Sequence, residues 1–139
     1  EASDVEKIIK MIKNAPIQEL KKLNSRHLDI FKLPQYCNNY FDIVIEYTCF
    51  CAIDPKTRVN YIKMVKDILK PSGKFTGLLF PLDLNTNTDG PPFHIDLNKT
   101  LLLFDEYLFR KQCKKSSLSI ESRKDREMFF IYTKDENEN

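Results

Sequence analysis

Apolar and polar positions repeat at two periods along this 139-residue chain, and the switches between them predict its elements. Val5, Ile8, Ile9 and Ile12 recur at helical spacing behind Ser3 and Glu6, the paired residues of a capping box. Asn14-Ala15-Pro16 closes that helix, and residues 17–23 are compatible with a further helical turn or with a loop. Residues 26–31 (RHLDIF) predict a short strand, followed by the loop LPQYCNNY. Residues 41–45 (FDIVI) are apolar except for Asp42, which suits a strand buried on both faces of a parallel sheet.

The best-marked element comes next. Asp54 stands in the N-cap position and Pro55 in the first helical position, where a missing N–H costs nothing. Val59, Ile62, Val65, Ile68 and Leu69 supply the buried face. Lys66 and Lys70 complement the C-terminal dipole, and Pro71-Ser72-Gly73 predicts the stop. A second apolar strand covers 74–80. Residues 41–80 thus read as a strand–helix–strand unit with parallel strands. Its loop 46–54 lies at the carboxyl end of the first strand, the edge at which open α/β sheets bind ligands. Residues 81–94 end in DGPPFH and make a loop long enough to be functional rather than a simple connector. A helix from Asp96 to about Phe104 follows. Two antiparallel strands, 108–120 and 127–133, then flank the charged turn ESRKDR. The domain is read as 1–133, with 134–139 (KDENEN) a disordered tail.

Composition narrows the function classes. At 42% hydrophobic and 30% charged residues the chain can bury a core of its own. A net charge of +2 from scattered basic residues leaves no polyanion-binding footprint, which argues against a nucleic-acid partner. No apolar run approaches the ~20 residues that cross a bilayer, so no membrane association is expected. Cys37, Cys49, Cys51 and Cys113 match no zinc spacing. They read as reduced thiols of a cytoplasmic protein, with no metal site.

The candidate chemistry sits in loops. In EYTCFCA, Tyr47 offers a phenol, Phe50 an aromatic edge and Glu46 an acceptor at the strand tip. This is either a ligand wall or an ordinary packed connection. Cys49 and Cys51 have no His nearby in sequence to activate them as nucleophiles. Asp29 and Ile30 suit an aromatic base, one accepting from an exocyclic amine and the other covering the ring, but on these residues alone the capping of a helix or turn by Asp29 is the favoured reading. Asp89-Gly90-Pro91-Pro92-Phe93 is a rigid turn that could cover a site. His27 and His94 have no partner suggesting a metal or a triad. Gly73, Gly77 and Gly90 are the only glycines, and none forms a phosphate-cradling loop.

DIFKLP, FDIVIEYTCFCAIDPKTR, ILKPSGKF, LLFPLD and GPPF occur in an order that resembles the thiopurine S-methyltransferase-like family, and within it the branch methylating thiols, thiocyanate and halides. The resemblance runs from Glu1 to about Thr133. It implies a Rossmann-like class I methyltransferase sheet with helices on both faces and a C-terminal antiparallel hairpin, using S-adenosylmethionine and a small-molecule methyl acceptor. By that resemblance Asp29, Ile30, Glu46 and Tyr47 contact the cofactor, and Tyr47 is the catalytic position. Tyr47, Phe50, Phe80 and Phe93 shape the acceptor pocket. Tyrosine at 47, where the thiopurine branch has arginine, argues against thiopurine recognition. The family's first strand, glycine loop and ribose-holding acid are expected upstream of Glu1. The sheet would then be completed by that segment or by a partner chain. Two alternatives stand beside the enzyme: a non-catalytic remnant or interaction subunit of the fold, and an α/β scaffold unrelated to methylation.

Overall fold

The computed structural model describes residues 29–83 and 89–137. Four strands form one mixed sheet: β1 (Phe41–Tyr47), β2 (Leu69–Leu79), β3 (Phe109–Lys115) and β4 (Met128–Thr133), in the order β1-β2-β4-β3. β1 and β2 are parallel; β4 pairs antiparallel with both β2 and β3. The helices are α1 (Pro34–Cys37), α2 (Arg58–Ile68) and α3 (Leu97–Tyr107). The strand–helix–strand unit and the C-terminal hairpin therefore form as the residue pattern predicts. The helix expected over 3–14, the segment 17–23 and His27 lie outside the described residues.

Local signals explain where the helices begin. Asp54 Oδ1 accepts from the Lys56 amide at 2.9 Å, opening a 3-10 turn (Pro55–Thr57) that runs into α2. Asp96 Oδ1 accepts from the Lys99 amide at 3.1 Å at the start of α3. α2 buries Tyr61, Ile62, Met64, Val65 and Ile68, and α3 buries Thr100, Leu101 and Phe104. These meet Phe75, Leu79, Phe130 and Tyr132 from one face of the sheet in a single core. Its centre is aromatic: Phe104 packs edge-on against Phe50, Phe75 and Tyr132 with ring centroids 5.4–5.5 Å apart.

Three expectations are corrected. Residues 26–28 of the predicted strand 26–31 lie outside the described residues, and Ile30–Lys32 is a 3-10 turn, not a strand. Asp29 Oδ1 accepts from the Phe31 amide at 2.9 Å and starts that turn, a local bond that competes with strand pairing. α2 ends at Ile68, before Pro71-Ser72-Gly73, and those three residues fall inside β2. The stop is tertiary. The carbonyls of Asp67 and Ile68 accept from the amides of Asn39 (2.8 Å) and Tyr40 (3.0 Å), leaving Lys70 to Gly73 as an irregularity between the Leu69 and Lys74 pairings with β1. Finally, Lys134, assigned by composition to the tail, is 4% exposed. Its Nζ donates to Asn39 Oδ1 (2.7 Å) and the Leu69 carbonyl (3.0 Å), so the ordered chain runs past β4.

Candidate active site

Side-chain parity along β1 divides the strand tip between two tasks. Val44 and Glu46 pair with Phe75 and Gly77 on the core side, whereas Ile45 and Tyr47 pair with Thr76 and Leu78 and are 56% and 45% exposed. Glu46 is only 2% exposed, and its carboxylate is fully engaged. Oε2 accepts from the Cys49 amide at 3.0 Å, both oxygens accept from the Phe50 amide at 3.1–3.2 Å, and Tyr61 Oη donates to Oε1. Thr48, with φ 61, turns the chain back so that those amides face Glu46. A left-handed conformation is costly for a β-branched residue, and the buried carboxylate offsets it. Glu46 is the acceptor foreseen at the strand tip, but the groups that it accepts are the protein's own.

Tyr47 faces the other way, at the carboxyl end of β1. Arg123 Nη1 donates to Tyr47 Oη at 2.6 Å, and the same guanidinium stacks 5.2 Å from the Tyr47 ring centroid and 4.5 Å from that of Phe80. Arg126 lies 5.0 Å from Phe80 on its own account and donates to Asp83 Oδ1 at 2.8 Å. Burial first, and then the Glu127 carboxylate, push the Tyr47 phenol pKa up, with Arg123 opposing. Arg123 and Arg126 were read from sequence only as part of a charged turn, and Glu127 as the first residue of the strand after it. The one signal for the two arginines was their charge in the connection leading into β4, a connection that returns to the same sheet edge as loop 46–54.

The remaining predicted side chains sit deeper or further away. Phe50 is 1% exposed and belongs to the core, with the Arg58 guanidinium 4.7 Å above its ring. Arg58 also donates to the His94 carbonyl from both terminal nitrogens at 3.3 Å, and the Phe93 amide donates to the Cys51 carbonyl at 2.7 Å. These bonds tie the GPPFH turn to loop 46–54. Gly90 has φ 65, and a Cβ there would lie 2.4 Å from the Phe93 ring, so only glycine lets Phe93 fold back on the turn. Phe80 is nearly buried beneath the two arginines. The structure thus brings Tyr47 and Phe80 together through Arg123, and Glu46 and Phe50 together beneath them. Asp29 is exposed, and Ile30 is half-buried against the core in the turn before α1.

The cysteines are not primed for nucleophilic attack. Burial, followed by the Glu46 charge, pushes the thiols of Cys49 and Cys51 up, the opposite of an activated thiolate. At pH 7.5 both should react with iodoacetamide at least ~10-fold more slowly than an unperturbed thiol, and faster as pH rises past 9. Site-resolved alkylation rates equal to those of free cysteine at pH 7.5 would contradict this assignment. Among the described residues no group of His, Cys, Asp and Glu is arranged to hold a metal ion, and no helix is long and apolar enough to cross a membrane.

The family model described as thiopurine S-methyltransferase (TPMT) matches residues 4–134. The chain belongs to the thiopurine S-methyltransferase family. Among curated proteins of similar sequence, thiocyanate methyltransferase 1 of Arabidopsis thaliana is 34% identical over 58 residues, covering 42% of this chain and 25% of that protein. Probable thiol methyltransferase 2 of the same plant is 34% identical over 59 residues, with the same coverage. The chain therefore spans about a quarter of the length of the curated relatives it matches. Among solved structures, a SAM-dependent methyltransferase from Methanosarcina mazei has a TM-score of 0.62 at 14% identity, covering 78% of this chain and 65% of that one. A 1,6-didemethyltoxoflavin N1-methyltransferase from Burkholderia thailandensis, solved with S-adenosylhomocysteine, has a TM-score of 0.52 at 15% identity, covering 70% and 45%. At these identities the likeness of the two structures is one of fold.

Proposed function

We propose that this chain carries the acceptor half of a site that transfers a methyl group from S-adenosylmethionine to a small soft nucleophile, a thiol, thiocyanate or halide, by in-line displacement. The observation that carries the reading is Tyr47, exposed at the carboxyl end of β1 with its hydroxyl held by Arg123. The donor set fits one side of the cofactor. Asp29 presents an exposed carboxylate beside Ile30, suited to the edge and face of an adenine, and Tyr47 offers an oxygen suited to a sulfonium methyl. Glu46 acts from beneath by holding the turn that follows Tyr47. A backbone cradle for the methionine carboxylate is not among the described residues; a segment with a glycine loop would supply it.

When bound, the cofactor supplies the electrophilic methyl group; the protein supplies position and field. Phe80 and Phe93 border the acceptor, with Phe50 supporting them from the core. The guanidinium groups of Arg123 and Arg126 favour an anionic acceptor. A thiolate or halide is already nucleophilic, so orientation in a dry pocket can account for much of the acceleration without a strong general base.

A second reading is favoured by one observation. β1 is the outermost strand of the described sheet, and Ile45 beside that open edge is 56% exposed. The chain would then serve as a non-catalytic or interaction subunit, completed by a partner along β1. Calorimetry with S-adenosylmethionine, coupled to detection of S-adenosylhomocysteine with thiol, thiocyanate and iodide, separates the two. Micromolar binding with turnover supports the enzyme. Absence of binding, with no rescue by a chain that carries a glycine loop, supports the subunit. In an active protein Tyr47→Phe should lower turnover roughly 10–100-fold. Asp29→Ala should weaken cofactor binding about tenfold. If neither variant changes rate or affinity, the site assignment is wrong.

A further inference from the structure

Arg58 stands where a cation is costly. It opens α2, at the positive end of the helix dipole, and its side chain is half-buried. Burial pulls its pKa down, and among the described residues no carboxylate pairs with it. Its Nε is buried without a hydrogen-bond partner. A charge kept in such a place calls for an explanation in what it holds. Both terminal nitrogens donate to one acceptor, the His94 carbonyl, while Cζ lies 4.7 Å from the Phe50 ring centroid. Residues 93–95 belong to no helix or strand and are fixed by bonds to other connections. The Phe93 amide donates to the Cys51 carbonyl at 2.7 Å, and the Ile95 amide to the Pro81 carbonyl at 3.0 Å. The segment thereby bridges loop 46–54, after β1, and the connection after β2. Among the described residues the Arg58 fork is the one side-chain grip that another element lays on it.

We propose that Arg58 is a positioning residue for the acceptor wall: its guanidinium holds the His94 carbonyl so that Phe93 stays fixed against loop 46–54, and this sets which acceptors fit. The inference rests on reading Phe93 as a border of the acceptor pocket in the proposed methyl transfer. Arginine suits the task because its planar fork puts two donors on one carbonyl while its face rests on an aromatic ring. The Phe50 ring supplies attraction where a carboxylate partner is missing. Stability alone would favour an apolar side chain of similar stem at this position, since an unpaired charge is costly to bury. A fixed wall favours a compact acceptor held in line with the methyl, and a loosened one discriminates less by size.

Arg58→Met tests this, because methionine keeps an unbranched stem against Phe50 and removes the fork and the charge. Tm should stay within about 2 °C of the parent. The Phe93 and Ile95 amides should exchange with deuterium about tenfold faster, while those of Phe75 and Phe130 in the core strands keep their rates. In methyl transfer from S-adenosylmethionine, kcat/KM for iodide relative to benzenethiol should fall about tenfold, since the small ion depends most on a fixed wall. Unchanged exchange at Phe93 overturns the proposal. So does a fall in Tm with equal acceleration across the core, the behaviour of a purely structural arginine. Equal loss of rate with both acceptors overturns it as well. Should Arg58→Met fail to fold, Arg58→Lys decides by the same exchange and rate readings, because lysine keeps the charge and the stem but not the fork. The exchange measurement needs no cofactor. Faster Phe93 exchange in a protein that methylates neither acceptor keeps the hold of Arg58 on the turn and overturns the methyl-transfer reading, and with it the selectivity.

Discussion

Glu46→Ala should lower the stability of the described domain by roughly 3–5 kcal/mol, among the largest losses expected of any single side chain here. The size follows from what is left behind. The Cys49 and Phe50 amides and the Tyr61 hydroxyl would lose their acceptor while Phe50 and Tyr61 stay buried, and each orphaned buried donor costs about 1–3 kcal/mol. Thr48 would also lose the constraint that offsets its left-handed backbone. Tyr61→Phe should cost less, since it removes a donor and leaves Glu46 its two amides. The double variant should then be less destabilised than the sum of the singles, because the Tyr61 hydroxyl is absent from both of its costs. Urea unfolding followed by near-ultraviolet circular dichroism reads these losses. A Glu46→Ala loss under 1 kcal/mol would mean that the turn is held by something other than this carboxylate.

Gly77→Ala should be nearly as damaging, for a steric reason at the same rung of the sheet. Gly77 pairs with Glu46, and a Cβ at 77 would lie 1.9 Å from the Glu46 carbonyl oxygen, 2.8 Å from its carbonyl carbon and 3.0 Å from its nitrogen. All three are backbone atoms, so no rotamer change relieves the clash; β1 must shift away from β2. Overpacking in a well-packed core costs 1–3 kcal/mol and occasionally more, and a rigid obstacle puts this site near the upper end, about 3 kcal/mol. For a domain of this size that lowers Tm by roughly 10 °C. The shift also moves the base of Tyr47, so the Tyr47 environment should change with it. A Tm within 2 °C of the parent would show that the strands have room to separate.

How legible was the site? Tyr47 was visible because aromatic residues at the carboxyl end of a parallel strand stand where ligands bind. Its separation in role from Glu46 was also present in the sequence, as the two-residue period of β1, but an almost continuously apolar strand hides which parity faces the helices. Phe50 and Phe80 were read as pocket walls. The first is a core residue, and the second is stacked beneath two arginines. The hidden partner was Arg123, 76 residues beyond Tyr47 in a turn whose charges looked solvated.

The sequence by itself determined the family, the order of the elements and the helix starts at Asp54 and Asp96. Those depend on hydrophobic period and on caps that reach two or three residues along the chain. Only the tertiary structure decided where α2 stops, that Lys134 is anchored, and that Asp29 opens a turn rather than ending a strand. It also decided that Glu46 faces inward while Tyr47 meets Arg123. These outcomes turn on which distant groups satisfy which donors once the sheet has assembled. A carboxylate in a sequence carries the same capacity to accept whether a ligand or the protein's own backbone answers it, and only packing makes that choice.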